Sequence, residues 1–245
     1  MNKYGIIGFP LSHSFSQKYF TQKFIDEKIE NCVFEKFELP DIRGVEALAK
    51  DKDLKGFCIT IPHKKNILPY LSESTEAVQQ MGACNCVRIL DGKLYGFNTD
   101  AIGFEKSFVP HLKPHHTKAL ILGTGGAAAA IEFVLQKLHI GYRFVSRNKT
   151  NDNFSYEELD NDILDEYKII VNCTPLGTYP KTDEAPQIPY QFITAGHYLY
   201  DLVYNPPLTK FLSLGKEKGA IIQNGYEMLV LQAEENWKIW NTKDL

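Results

Sequence analysis

One stretch of the 245-residue chain limits its fold more than any other: KALILGTGGAAAAIEFVLQKLHIGYRFVSRN, residues 118–148. An apolar run of strand length is followed by a glycine turn, an alanine-rich helical segment and a second apolar run. Gly123, Gly125 and Ala128 form a G-x-G-x-x-A turn between the strand and the helix. Glycines there permit a tight turn and let backbone N–H groups approach a pyrophosphate, while the helix N-terminus faces the anion with its partial positive charge. Glycine turns are frequent, so the motif alone says little. Placed between a strand and a helix, with a second strand at the right distance, it predicts a dinucleotide site.

The end of the second strand bears on which dinucleotide. An NAD site carries an acidic residue about 20 positions beyond the turn, bonded to the ribose 2′-hydroxyl. Here YRFV runs into Ser146, Arg147, Asn148 and Lys149, with no acid before Asp152. A guanidinium at Arg147 can stack on adenine and pair with a 2′-phosphate, which favours NADP. An exposed arginine after a strand also occurs without any ligand.

Strand and helix patterns alternate through the chain, the mark of an α/β protein with mainly parallel sheets. YGIIGF, CVFEKFEL and GFCITI read as strands. SFSQKYFTQKFIDEKI and DIRGVEALAKD read as helices, and residues 65–80 as a broken helical stretch restarting near Pro69 and Ser72. NCVRILDGKLYGFN is a hairpin turning at Asp91-Gly92. HLKPHH (111–116) is a connector before the glycine-turn segment, and a strand remnant with a long helix closes the chain. These patterns predict a second part of the chain that begins near residues 110–116.

A net charge of -3 leaves no basic footprint for nucleic acid. No apolar run approaches the ~20 residues needed to span a bilayer. Five cysteines, with one C-x-C pair and no second pair, predict reduced thiols in a cytoplasmic protein and no metal site.

Several strand ends in the first half carry compact polar groups, where α/β proteins collect ligand-binding residues. His13, Ser14 and Ser16 open the first helix, where hydroxyls and amides suit a carboxylate; Ser14 is equally a good helix cap. Thr60, Lys64, Asn85 and Asp100 each end or follow a strand. Asp100 could be an Asx-turn or helix cap. A lysine and an aspartate facing one hydroxyl would form a proton-transfer device.

Taken together, these blocks resemble the shikimate dehydrogenase family. GFPLSHSFS (8–16) is similar to its carboxylate-binding segment, TIPHK (60–64) to its T-x-P-x-K, GACN (82–85) to its G-A-x-N, and NTD (98–100) to its N-T-D. GTGGA (123–127), SR (146–147), NCTPLG (172–177), YDLVYNP (200–206) and NGYEMLVLQA (224–233) follow in the family's order. The resemblance implies reversible reduction of 3-dehydroshikimate to shikimate by NADPH. It implies Ser14 and Ser16 on the substrate carboxylate, and Thr60, Lys64, Asn85, Asp100 and Gln232 on the ring hydroxyls. Lys64 with Asp100 would be the catalytic pair, and Tyr204 would orient the substrate. NADP would lie on Gly123, Thr124, Gly125, Gly126, Ala127, Ser146 and Arg147, with Thr174, Val203, Gly225 and Met228 lining the nicotinamide. The implied fold is an α/β substrate domain (residues 1–100 with 221–245) and an NADP-binding Rossmann domain (residues 101–220), the C-terminal helix returning to the former, in a monomer or homodimer. Alternatives are a quinate/shikimate dehydrogenase using NAD and a non-catalytic NADP-binding paralogue.

The chain departs from the family pattern in places. Cys58 stands where the family often has Asn, His63 precedes Lys64, Ser146 and Asn148 flank Arg147, and Asn224 replaces an Asp. Cys58 and His63 bear on substrate preference and on the surroundings of Lys64.

Overall fold

The computed structural model describes residues 1–11 and 14–242; His13 lies outside the described residues. The chain divides into two compact units, residues 1–99 with 232–245, and residues 100–231.

The first unit contains β1 (Asn2–Gly8), α1 (Phe15–Asp26), β2 (Cys32–Glu38), α2 (Val45–Leu48), β3 (Leu54–Ile59), β4 (Glu73–Ser74), α3 (Glu76–Met81), β5 (Cys86–Leu90) and β6 (Lys93–Phe97). Its sheet runs β2-β1-β3-β5-β6-β4, with β1 parallel to both neighbours and the β5–β6 hairpin antiparallel. The hairpin turns at Asp91 and Gly92, both at positive φ, as a two-residue turn matched to strand twist demands. The sheet is therefore more mixed than the alternating pattern predicts, because 86–97 pairs locally where a crossover helix would have forced parallel strands. The broken stretch after Lys65 is a turn, a 3₁₀ segment at Leu68–Tyr70, the short β4 and then α3, rather than a restarted helix. Asp41 opens a 3₁₀ turn (Ile42–Gly44) before the four-residue α2.

The chain continues through α4 (Thr99–Phe108), β7 (Lys118–Leu122), α5 (Ala128–Lys137), β8 (Gly141–Val145), β9 (Asn153–Phe154), α6 (Asn161–Glu166), β10 (Ile169–Asn172), β11 (Tyr198–Asp201), α7 (Lys210–Glu217), β12 (Ile221–Asn224) and α8 (Tyr226–Asn241). The second sheet runs β12-β11-β10-β7-β8-β9 and every pairing is parallel. β10 and β11 are buried at every position, and both are free of charge up to the polar residue that ends each, Asn172 and Asp201. β12 adds an edge strand to this second sheet, whereas the family resemblance groups residues 221–224 with the first domain.

The end of α8 belongs to the first unit, and aromatic packing explains why. Trp240 stacks on Tyr4 with ring centroids 5.2 Å apart, and its indole N–H donates to the Val87 carbonyl at 3.0 Å. A Cβ on Gly56 would come within 2.2 Å of the indole, so the glycine leaves room for the ring. Phe20 and Phe34, stacked at 4.8 Å, extend the same cluster.

Candidate active site

In the first unit the loops leaving β1 and β3 run side by side. Thr60 N–H donates to Ile7 O at 2.9 Å and Phe9 N–H to Ile61 O at 3.1 Å. A Cβ on Gly8 would lie 2.4 Å from the Thr60 methyl, so glycine is what lets the two loops close together. Lys64 is pinned through its backbone: His63 N–H donates to Thr60 O at 2.9 Å, and Cys84 N–H donates to the Lys64 carbonyl at 2.8 Å. That last bond sets Lys64 beside the segment carrying Asn85. Lys64 is half-buried, whereas Lys65 is exposed. His63 points inward, 2% exposed, and its Nε2–H donates to Leu39 O at 2.6 Å. Its Nδ1 is buried without a hydrogen-bond partner. The imidazole thus anchors the loop by packing and one bond, with Lys64 on the next residue. On α1, Ser14 is the N-cap, its hydroxyl accepting from Gln17 N–H at 3.3 Å, and Ser16 is buried.

Asn85 and Gln232 belong to one buried chain of hydrogen bonds. Thr99 N–H donates to Asn85 Oδ1 at 2.7 Å, and Asn85 Nδ2 donates to Thr99 Oγ1 at 3.0 Å. The Thr99 hydroxyl donates to Asn236 Oδ1 at 2.6 Å. Asn236 Nδ2 donates to Gln232 Oε1 and to Cys58 Sγ, both at 3.2 Å. All five residues are buried. Unpaired amides here would each cost ~1–3 kcal/mol, so full pairing is what makes the burial tolerable.

In the second unit the glycine turn follows β7, at the point where the strand order reverses between β7 and β10; in open α/β sheets this crevice is where ligands bind. Gly123 adopts φ +94, and a Cβ there would meet the Thr174 methyl at 2.9 Å. Above Gly125 and Gly126 a Cβ would meet nothing within 4 Å. The N-cap of α5, Ala127, makes no side-chain cap bond. An open cradle over two glycines beside an uncapped helix end suits a pyrophosphate. At the end of β8, Ser146 donates to Asn148 O and accepts from Asn153 Nδ2, each at 2.7 Å. Arg147 is exposed, and Lys149 is paired with Glu158.

A second polar cluster ties together the loops after β10 and β11. Asp201 accepts from Asn172 Nδ2 (2.9 Å), Val203 N–H (3.0 Å) and the Thr209 hydroxyl (2.6 Å). Burial pushes its carboxyl up to about 6, against the pull of those three donors. Asn172 Oδ1 accepts from the Thr174 backbone and hydroxyl. Val203 and Met228 are buried, and Tyr204 is half-buried, which raises its phenol pKa. A Cβ on Gly225 would sit 2.2 Å from Leu202 O, so only glycine fits beside that carbonyl. Lys64 lies in the first unit, and Asp100, in the first turn of α4, opens the second.

Residues 6–87 match the model of the shikimate dehydrogenase substrate binding domain. A shikimate dehydrogenase (NADP(+)) from Methanosphaera stadtmanae is 33% identical, the alignment covering 98% of this chain and 91% of that protein. The chain belongs to the shikimate dehydrogenase family. Two solved relatives share its fold along the whole length. A chorismate mutase/shikimate 5-dehydrogenase fusion protein from Clostridium acetobutylicum has TM-score 0.86 at 32% identity, covering 100% of this chain and 93% of that one. The shikimate 5-dehydrogenase of Thermus thermophilus, in complex with NADP(H) and shikimate, has TM-score 0.85 at 27% identity, covering 98% and 94%. Against the family pattern, Cys58 is not a gap in the polar framework: its sulfur accepts from Asn236. Asn236 carries no motif, and its one sequence signal is the i,i+4 spacing from Gln232 on a helix. Thr99 and Asp201 sit inside the family's NTD and YDLVYNP blocks, but nothing in their local sequence reveals that they organise two loops each.

Proposed function

We propose that this chain is an NADP-dependent shikimate dehydrogenase, catalysing the reversible reduction of 3-dehydroshikimate to shikimate in the route to chorismate and the aromatic amino acids. The family relationship over 98% of the chain is the observation that carries this reading. Lys64, Asp100 and the open glycine cradle support it. In this reading the first unit binds substrate and the second binds NADP.

Ser14 and Ser16, at the start of α1, hold the substrate carboxylate. Thr60, Asn85, Asp100 and Gln232 take the ring hydroxyls, and Tyr204 orients the ring. The turn from Gly123 to Ala127 cradles the pyrophosphate, Ser146 and Arg147 meet the adenosine 2′-phosphate, and Thr174, Val203, Gly225 and Met228 line the nicotinamide. The reduced nicotinamide supplies the hydride. As negative charge builds on the ring oxygen, the Lys64 ammonium stabilises it and delivers the proton. Asp100 holds that ammonium in place. The absence of an acid between Arg147 and Asp152 supports NADP over NAD, since a carboxylate there would repel a 2′-phosphate.

The test is nicotinamide absorbance with the purified chain, shikimate or quinate as substrate, and NADP or NAD as cofactor. Shikimate with NADP should give the highest kcat/KM; no shikimate-dependent reduction of NADP would overturn the reading. Lys64→Ala should lower kcat by ~10²–10⁴-fold while leaving shikimate binding largely intact. Near-normal turnover in that variant would remove Lys64 from the chemistry.

A further inference from the structure

The buried chain Asn85–Thr99–Asn236–Gln232 has a direction, and its origin is a group that has no choice. A backbone N–H can only donate, so Thr99 N–H forces Asn85 to turn Oδ1 toward it, at 2.7 Å. Asn85 Nδ2 then faces the Thr99 hydroxyl and donates to it. A hydroxyl has a single hydrogen, and Thr99 directs it to Asn236 Oδ1 at 2.6 Å, the shorter of its two contacts with amide oxygens. Asn236 is left with Nδ2 on its other side, where it meets Gln232 Oε1 and Cys58 Sγ. Each amide orientation follows from the one before it.

We infer that Asn236 is a positioning residue that fixes which end of the Gln232 amide faces the substrate. With Oε1 engaged by Asn236, Gln232 turns its Nε2 hydrogens, not a carbonyl lone pair, toward a ligand. Resting on the substrate role proposed above for Gln232, this makes the pocket at that point a donor of hydrogen bonds, matched to an oxygen that accepts. Cys58 fits the same logic: a thiol sulfur is a weak acceptor and tolerates the second Nδ2 hydrogen without competing for the amide's orientation. Asn236 is wholly buried, so it acts through Gln232 and Thr99 and not by touching substrate.

Asn236→Asp tests the polarity with little change of shape. Asp keeps an acceptor for the Thr99 hydroxyl but offers no N–H to Gln232, whose amide must rotate and turn Oε1 outward. The shikimate KM should rise about tenfold, with kcat changed less than about threefold and the NADP KM unchanged. In a Gln232→Ala background the same substitution should add nothing to the shikimate KM; additive effects would overturn the inference. Should the buried acid prevent folding, Asn236→Ser, which is too short to reach Gln232, carries the same expectation. A ligand-free readout separates this inference from the proposed function. The Gln232 side-chain amide resonances, assigned by their loss in Gln232→Ala, should move in the Asn236 variants. Unmoved resonances would refute the clamp even if the chain is an active shikimate dehydrogenase. Shifted resonances in a chain without shikimate activity would uphold the clamp and refute the substrate reading.

Discussion

Each unit of this protein holds its candidate ligand-binding loops with a buried polar network, and the two networks are built on different chemistry. The one in the first unit, through Asn85, Thr99, Asn236 and Gln232, is neutral throughout and transmits direction: donors and acceptors alternate along it. The one in the second unit converges on a single carboxylate, Asp201, with three donors aimed at it. A neutral chain can specify which end of an amide faces a ligand and is indifferent to pH. A carboxylate hub gathers loops strongly, because charge-assisted bonds are the stronger kind, but its burial costs stability once it is ionised.

The sharpest way to break this contrast is Asp201→Ala. Removing the hub leaves Asn172, Thr209 and the Val203 N–H without their acceptor, and stability should fall by about 4 kcal/mol in denaturant titration. A loss below ~1 kcal/mol would mean that the loops after β10 and β11 are held by packing alone.

The pH dependence is the next largest effect. The Asp201 carboxyl is raised from 3.8 to about 6 in the folded protein, so between those values the folded state keeps a proton that the unfolded chain has lost. Unfolding then releases a proton and is favoured by raising pH. The contribution of this group is fully present below about pH 4 and is lost as pH rises through 6, ~3 kcal/mol in all. The carboxylates of Glu158, lowered by Lys149, and of Glu234, lowered against its burial by the Tyr19 hydroxyl and then Lys23, act in the opposite sense, so the comparison to make is with Asp201→Asn. Subtracting the two stability–pH curves between pH 4 and 7 should leave the Asp201 slope. Parallel curves would show that the carboxyl is not raised.

The smallest expected effect lies in the neutral network. Thr99→Val keeps the side-chain shape and removes the hydroxyl that links Asn85 to Asn236, which should cost about 1–2 kcal/mol. Its stability–pH curve should run parallel to that of the wild type; a changed slope between pH 4 and 7 would deny the distinction between the two networks.

Much of this architecture was legible from local pattern. The glycine turn after β7 sits at the strand-order reversal, where a strand–turn–helix unit of that spacing belongs. The Asp91-Gly92 hairpin, the C-terminal helix and the order of the family blocks are equally short-range or ordered features. The β12 boundary was not legible, because a four-residue apolar run does not say which sheet it will join. Nor was the inward turn of His63, which depends on a carbonyl 24 residues earlier in the chain.

By itself, then, the sequence determined the α/β alternation, the strand–glycine–helix unit and the family to which the chain belongs, all carried by periodicity and spacing within short windows. Only the tertiary structure decided that Thr99 and Asn236, 137 residues apart, share a hydrogen, and that Cys58 accepts from an amide 178 residues away. The reason is physical: hydrogen-bond direction in a buried network depends on which groups are dry and adjacent, and adjacency over such separations leaves no period in the sequence.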